Sequence, residues 1–188
     1  MTTAARRLAR FVIGLSLDDV PSPVVEQATL LALDTLGNGL AACGEEFARL
    51  VRDVAEQLGG APESHLLGSR RQVAAANAVL ANATLAHGLD FDDTREDAVV
   101  HTGCVAVTTA LAVGESVGAA GRAVLEALIA GVEVMCRVGL AVPGALHARH
   151  FHPTSITGSF AAAAAAAKLH GLTEAQLAHA FGICGSQA

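Results

Sequence analysis

The sequence contains no tryptophan and no tyrosine, and only 16% of its 188 residues are charged. Hydrophobic residues still make up 52% of it, so the composition excludes an intrinsically disordered chain. Most of these residues are alanine, valine and leucine. Because small side chains bury little area each, this composition favours closely approaching helices over a core of large aromatic rings. The length suits one domain with a substantial core and is short for two.

A cluster of lysine and arginine is also missing, and the formal net charge is −6. Phosphate binding depends on a concentrated basic surface, so we expect neither nucleic acid nor an anionic membrane as a partner. The apolar segment after Arg10 is short and soon reaches Asp18, which argues against a signal peptide. Residues 98–114 are uncharged, but their histidine and threonine content argues against a membrane span. A cytoplasmic protein is expected.

Several motifs that would identify other protein classes do not occur. The sequence has no Cys-x-x-Cys pair, no glycine-rich phosphate loop and no serine nucleophile elbow. These absences argue against zinc ribbons, redox motifs, P-loop nucleotide sites and α/β-hydrolase chemistry. The cysteines are far apart and are expected to be reduced thiols: Cys43, Cys104, Cys136 and Cys184.

Helical periodicity covers nearly all of the chain. We predict helices over residues 3–14, 22–37, 45–58, 73–94, 103–117 and 122–142, one that contains 161–167, and one that a Thr173-x-x-Gln176 capping box opens. Only the segment from Ser64 to Gly68 is short and apolar enough for a strand. The prediction is an all-α, multi-helix bundle that forms a single helical domain over residues 1–188, with at most one short β-hairpin or strand.

The end of the sequence carries no helix stop signal. After Phe181 the chain reads Ile-Cys-Gly-Ser-Gln-Ala, with no capping glycine after Gln187 and no polar tail. We expect this helical domain to be the N-terminal part of a larger one, completed downstream or by another chain.

The segment from His87 to Thr94 places three carboxylates at the end of an apolar helix. On a helical wheel one face would hold Val73, Ala76, Leu80, Ala83, His87, Asp90 and Thr94, with Asp92 pointing away and Asp93 at the flank. A carboxylate in an apolar setting costs several kcal/mol, roughly, unless it has partners. Asp90 is therefore a candidate general base or a residue that orients a histidine. The alternative, a helix end with solvated acids, is about as well supported.

Two further segments could supply donors for an anion. His101 precedes an uncharged helix and would lie at its N-terminus, although a histidine in a loop is more often structural. The segment from His147 to Ser155 holds His150, Arg149 and His152 before another helix. Pro153 suits the first turn of that helix, and Thr154 or Ser155 could be its cap. Such a loop suits a di- or tricarboxylate. A zinc or iron site and a plain surface loop remain alternatives.

Four ordered motifs resemble those of the MmgE/PrpD family. They are His87-Gly-Leu-Asp-Phe-Asp-Asp-Thr94, the histidine at 101, Phe151-His-Pro-Thr154, and the segment 172–188. The resemblance extends over essentially the whole chain. It implies a large all-helical domain with a smaller α+β lid domain, homodimeric assembly, and chemistry that needs no metal and no other cofactor.

The resemblance also implies functional residues and roles. The expected catalytic residues are Asp90, Thr94, His101 and His152, and the expected substrate-binding residues are His87, His150 and Thr154. His101 and His152 would transfer protons and bind carboxylates, Asp90 would orient and polarise a histidine, and Thr94 would hold a substrate oxygen.

Two departures from the family pattern are visible. Residues 95–100 read Arg-Glu-Asp-Ala-Val-Val, where the family commonly has a shorter stretch that often contains His-Pro. The family's lysine-bearing segment and lid domain would be expected after Ala188. The chain is therefore expected to depend on a second copy or a companion chain for the missing part.

The function predicted first is a carbon–oxygen lyase, a dehydratase of a small di- or tricarboxylate such as 2-methylcitrate. Decarboxylase, isomerase or epimerase activity of the same family remains an alternative, because the product depends on pocket shape. A non-catalytic helical subunit or scaffold is a second alternative, and a metal-dependent hydrolase that uses the same aspartates and histidines is a weaker third.

Overall fold

The computed structural model describes residues 2–187, most of which lie in helices. The helices are α1 (Ala4–Gly14), α2 (Ser22–Ala41), α3 (Glu46–Leu58), α4 (Ala75–His87), α5 (Gly103–Ser116), α6 (Gly121–Leu140), α7 (Ala145–Ala148), α8 (Pro153–Leu169) and α9 (Glu174–Gln187). The predicted all-α bundle is confirmed.

The strand prediction is confirmed in its outline. β1 (Ser64–His65) pairs antiparallel with β2 (Gln72–Val73), with Ser64 opposite Val73. Two residues are too few to show the alternation that marks a strand in a sequence, which is why β2 had no signal of its own.

Helix α5 runs through the centre of the bundle. It packs against α4, α6 and α8, and Val107 and Ala110 on it are fully buried. Helices α6 and α8 approach each other closely, since a Cβ atom added at Gly131 would lie 3.2 Å from the carbonyl oxygen of Ala161. Close contact between small residues compensates for the lack of large side chains, as the composition indicated.

Helix α9 closes one end of the bundle against α1. Leu177 and Phe181 of α9 are buried with Val12 of α1 in one hydrophobic cluster. The predicted capping box at its start is confirmed, because Thr173 Oγ1 accepts from the amide of Gln176 at 3.3 Å and Gln176 Oε1 accepts from the amide of Thr173 at 2.9 Å.

The predicted continuation of α4 to residue 94 is wrong. The helix ends at His87, and the chain then turns through Asp90, whose φ of 57° lies in the left-handed region. A Cβ atom at Gly88 would collide with the ring of Phe47 of α3, so the position directly after the helix has no room for a side chain. Asp90 and Thr94 consequently lie in a loop and share no helical face with His87.

The start of α8 agrees with the prediction that Pro153 occupies its first turn, but the predicted cap is wrong. His152 is the N-cap residue, and no side chain within the described residues caps this helix. The short α7 was not predicted from the sequence, because four residues are too few for a periodic pattern. None of the helices within residues 2–187 combines the length and the hydrophobicity that a membrane crossing requires.

Candidate active site

Three segments converge beside the N-terminus of α5: the end of α4, the loop 88–102 and the start of α8. His87, His101 and His152, one from each segment, form an imidazole cluster. The ring centroids of His87 and His101 are 4.9 Å apart, and the ring of His152 stacks on that of His87 at 5.6 Å with 23° between the planes. Residues far apart in the sequence thus bring their proton-carrying groups together.

A buried carboxylate lies under this cluster, and it belongs to Asp92. Its side chain has 0% exposure, and its Oδ2 and Oδ1 atoms lie 2.9 and 3.1 Å from Nδ1 of His87. Oδ1 also lies 3.6 Å from Nδ1 of His101. The sequence-based expectation that Asp92 points away is wrong, because the wheel assumed a helix through position 94. Asp92 is the residue that sequence reasoning missed.

The ring of His101 is held in a defined orientation. Its Nδ1 lies 3.0 Å from the carbonyl oxygen of Asp93, which can only accept, so Nδ1 carries a proton and donates it. Thr94 Oγ1 lies 3.3 Å from the same nitrogen, and the amide of His101 donates to Thr154 Oγ1 at 3.1 Å. Nε2 of His101 is therefore the atom free to exchange a proton with a substrate.

Asp93 occupies the N-terminus of α5. Its Oδ2 accepts from the amide and the hydroxyl of Thr102 at 3.0 and 2.7 Å, and its Oδ1 accepts from the amide of Gly103 at 2.7 Å. The helix N-terminus beside His101 does bind an anion, as expected, but that anion is the carboxylate of Asp93. The first amide groups of α5 are therefore already hydrogen-bonded.

The structure brings most of the expected catalytic residues to this place. Asp90 is exposed, but one of its carboxylate oxygens belongs to a group with one ligand atom each of His87, Asp92 and His101, all within 4.8 Å of one another. Thr94 is exposed and lies beside His101. The expected roles of these residues remain predictions.

The expected substrate-binding residues are placed differently from one another. His87 belongs to the imidazole cluster, and Thr154 is only 4% exposed with its oxygen occupied by the amide of His101. His150 is exposed, has a φ of 64°, and makes no described ring contact with the cluster. Of the two histidines in the His-x-His segment, the structure brings His152 to the cluster.

The pKa of His152 is lowered from its ordinary value of 6.5. Burial is the largest cause, followed by the charges of His87 and His101, while Asp90 and Asp92 act in the opposite direction. His152 is still an exposed residue, and the direction of the shift means that its neutral form is favoured relative to that of an ordinary imidazole.

Other reactive groups are poorly placed for catalysis. Burial raises the pKa of the Cys104 thiol, and the charges of Asp92 and Asp93 raise it further, so this sulfur stays protonated at neutral pH. The ammonium of Lys168 donates to the carbonyls of Val12 and Leu15 at 3.2 and 2.6 Å, at the far end of α8. Imidazoles and carboxylates remain as the groups that can transfer protons at this site.

The group of His87, Asp90, Asp92 and His101 has a donor set that zinc or iron could use. The hydrogen bonds indicate an arrangement without a metal at the Nδ1 atoms. Nδ1 of His101 faces a carbonyl oxygen and Nδ1 of His87 faces a carboxylate, so both nitrogens act as donors. A metal would require at least one of these imidazoles to turn or to bind through Nε2.

A cavity of about 660 Å³ lies next to the loop 88–102, between α2 and α6. Its lining includes Asp93, Thr94 and Thr102 together with apolar residues such as Leu31 and Ile129, but none of the imidazole cluster. The cluster itself lies at the surface of the described chain.

The MmgE/PrpD N-terminal domain family model matches residues 6–188. The chain is 31% identical to a cis-aconitate decarboxylase-like protein, oryM, of Aspergillus oryzae, with 96% of this chain and 39% of that protein aligned. It is 29% identical to human cis-aconitate decarboxylase over 96% of this chain and 38% of that enzyme. The mouse cis-aconitate decarboxylase is 28% identical over 100% of this chain and 40% of the enzyme.

The chain therefore spans about two fifths of the length of these curated relatives. The match to the family model covers almost every residue, and the predicted resemblance is confirmed. This chain belongs to the MmgE/PrpD family.

Proposed function

We propose that this chain carries part of the active site of a lyase that removes carbon dioxide from a small tricarboxylate of the cis-aconitate type. The observation that carries the proposal is the imidazole cluster of His87, His101 and His152 over the carboxylate of Asp92. The similarity to cis-aconitate decarboxylases supports this reaction over the dehydration of 2-methylcitrate.

The proposed reaction needs one proton donor and several cationic or hydrogen-bonding groups. An imidazolium gives its proton to one carbon of the double bond. A saturated carbon attached to the other carbon of that double bond then loses its carboxylate as carbon dioxide, and the electron pair of the broken carbon–carbon bond forms the new double bond between these two carbons. The imidazole regains a proton from water, so each turnover consumes one proton. General acid catalysis of this kind contributes roughly 10²- to 10⁴-fold.

His101 is the best placed proton donor, and His152, whose neutral form is favoured by its lowered pKa, is the better placed to bind a substrate carboxylate. Nε2 of His101 is free because its Nδ1 is held by the carbonyl of Asp93. His152 lies at the N-terminus of α8 beside His87. Two imidazoles within one cluster allow one to bind a substrate carboxylate while the other transfers the proton. Asp90 and Thr94, at the exposed edge, would orient a ring and a substrate oxygen.

The complete protein should be assayed for release of carbon dioxide from cis-aconitate and for loss of water from 2-methylcitrate. We expect decarboxylation, reduced about 10²-fold or more by H101N and H152N. H170N is the matched control, since His170 is exposed at the opposite end of the 17-residue helix α8, about 25 Å away. Water loss from 2-methylcitrate without decarboxylation would favour the dehydratase instead, and no turnover of either substrate would reject both.

We further propose that the chain acts as part of a homodimer. Exposed apolar side chains support this association, among them Leu33 and Leu40 on α2 and Phe91 in the loop, with exposures of 68%, 56% and 77%. Light scattering of the complete protein should give the mass of two copies. A monomer at micromolar concentration would contradict this.

A further inference from the structure

We propose that Asp92 is a positioning residue, which fixes the tautomer and orientation of His87 and so presents Nε2 of that ring to the substrate. The catalytic consequence of this inference rests on the proposed function, whereas the effect of Asp92 on the tautomer and orientation of His87 does not. Asp92 does not touch the reacting atoms. It acts through the imidazole above it.

The first argument is burial. The Asp92 side chain has 0% exposure, and a buried carboxylate without partners is costly. Its ion-pair partners among residues 2–187 are the rings of His87 and His101. Within the described residues Asp92 forms no ion pair with an arginine or lysine, and its ion-pair partners are two imidazoles. Such an acid orients the imidazoles or stabilises their charged form.

The second argument is the geometry of the His87 contact. Both carboxylate oxygens face the same nitrogen, at 2.9 and 3.1 Å. A carboxylate can only accept, so Nδ1 of His87 donates and its proton stays on that side of the ring. In the neutral ring the lone pair is then on Nε2, the nitrogen that Asp92 does not contact. An aspartate that holds a histidine in the productive tautomer is a recurring device in enzymes.

The third argument is the contrast with Asp93, the next residue. Its carboxylate accepts from the backbone of Thr102 and Gly103 and caps α5. The carboxylate of Asp92 accepts from no backbone amide in the described structure, and it faces imidazole nitrogens and the thiol of Cys104 instead. Adjacent acids therefore have separate tasks, one structural and one directed at the site, and they provide a matched pair of variants.

The test measures the tautomer of His87 directly, by two-bond ¹⁵N–¹H NMR correlations of the imidazole rings in the folded full chain. In the unsubstituted protein at neutral pH we expect Nδ1 of His87 to be protonated. In D92N, the amide can donate to the ring, so Nδ1 should lose its proton. In D93N, the tautomer of His87 should be retained although the protein is less stable.

Several outcomes would overturn the proposal. An unprotonated Nδ1 of His87 in the unsubstituted protein does so by itself, even if D92N fails to fold. A tautomer that D92N leaves unchanged, or that D93N changes equally, also does so. Circular dichroism shows whether each variant is folded.

Turnover gives the functional readout. If the complete protein decarboxylates its substrate, D92N should lower kcat about 10²-fold or more with little change in KM. It should also change the shape of the pH–rate profile, whereas a merely structural defect would lower the rate equally at every pH. If the protein shows no turnover, the proposed function fails, while the tautomer measurement still decides the role of Asp92.

Discussion

The carboxylate of Asp93 lies against the amide of Gly103, with 2.7 Å between Oδ1 and the backbone nitrogen. This contact joins the acidic loop to the first turn of α5 and places Asp92 on one side and His101 on the other. The first residue of α5 must be small for the contact to exist.

Replacement of Gly103 by alanine tests that requirement. A Cβ atom there would lie 2.6 Å from Oδ1 of Asp93 and would also collide with the hydroxyl of Thr35. We expect G103A to lower the free energy of unfolding by about 1–3 kcal/mol, measured by urea denaturation. G121A is the control, because a Cβ at Gly121 meets nothing within 4 Å. Equal stability of the two variants would show that Gly103 is not needed for space.

Asp93 should matter for stability through its cap on α5. In D93N, an amide replaces one accepting oxygen, while the amides of Thr102 and Gly103 still need acceptors. We expect a loss of about 1–2 kcal/mol in the free energy of unfolding. D97N, at an exposed pair with Arg95 in the same loop, should leave it nearly unchanged. A D93N protein as stable as D97N would show that the Asp93 cap does not stabilise α5.

The lowered pKa of His152 predicts a pH dependence of stability. Below its ordinary value of 6.5 the unfolded chain binds a proton at this ring that the folded protein resists. Stability should therefore fall as the pH decreases through 6.5, and the loss should be complete below the folded-state pKa. The melting temperature of H152Q, measured from about pH 8 to about pH 5, should fall less than that of the unsubstituted protein.

H150Q provides the comparison for this experiment. His150 lies two residues earlier and is exposed like His152, but it makes no described ring contact with the cluster. The melting temperature of H150Q should match that of the unsubstituted protein at each pH. A smaller acid-induced drop in H150Q than in H152Q would contradict the assignment.

Chelation tests whether the site needs a metal. Because Nδ1 of His87 and of His101 both donate hydrogen bonds, we expect the complete protein to keep its turnover after dialysis against EDTA. Elemental analysis should find zinc and iron well below one equivalent. Activity that is lost on chelation and restored by zinc would show that His87, Asp90, Asp92 and His101 bind a metal instead.

Much of the fold could be predicted because helical signals are local. The capping box at Thr173 and the proline at the start of α8 each specify a helix start through contacts within a few residues. The wrong end of α4 had a different cause. The chain leaves the helix after His87 and turns at Asp90, whose left-handed φ of 57° a helical wheel cannot represent.

The sequence indicated which segments form the candidate site, but not how their side chains are arranged in it. The motifs indicated the neighbourhood of His87, His101 and His152, and the structure brings these rings together. Which aspartate is buried could not be predicted, because Asp90, Asp92 and Asp93 are chemically identical and nearly adjacent. Their difference arises from the left-handed turn at Asp90 and from the α5 amides that bind Asp93.

The amino-acid sequence alone determined that this chain is helical, closely packed through small residues and rich in imidazoles at two helix starts, because periodicity, composition and caps act over short distances. Tertiary structure alone decided which carboxylate lies beneath the imidazoles. The burial of Asp92 depends on where α4 stops, how the loop 88–102 folds over α5, and how α8 brings His152 against His87. Those contacts join segments that are far apart in the chain, so no local pattern encodes them.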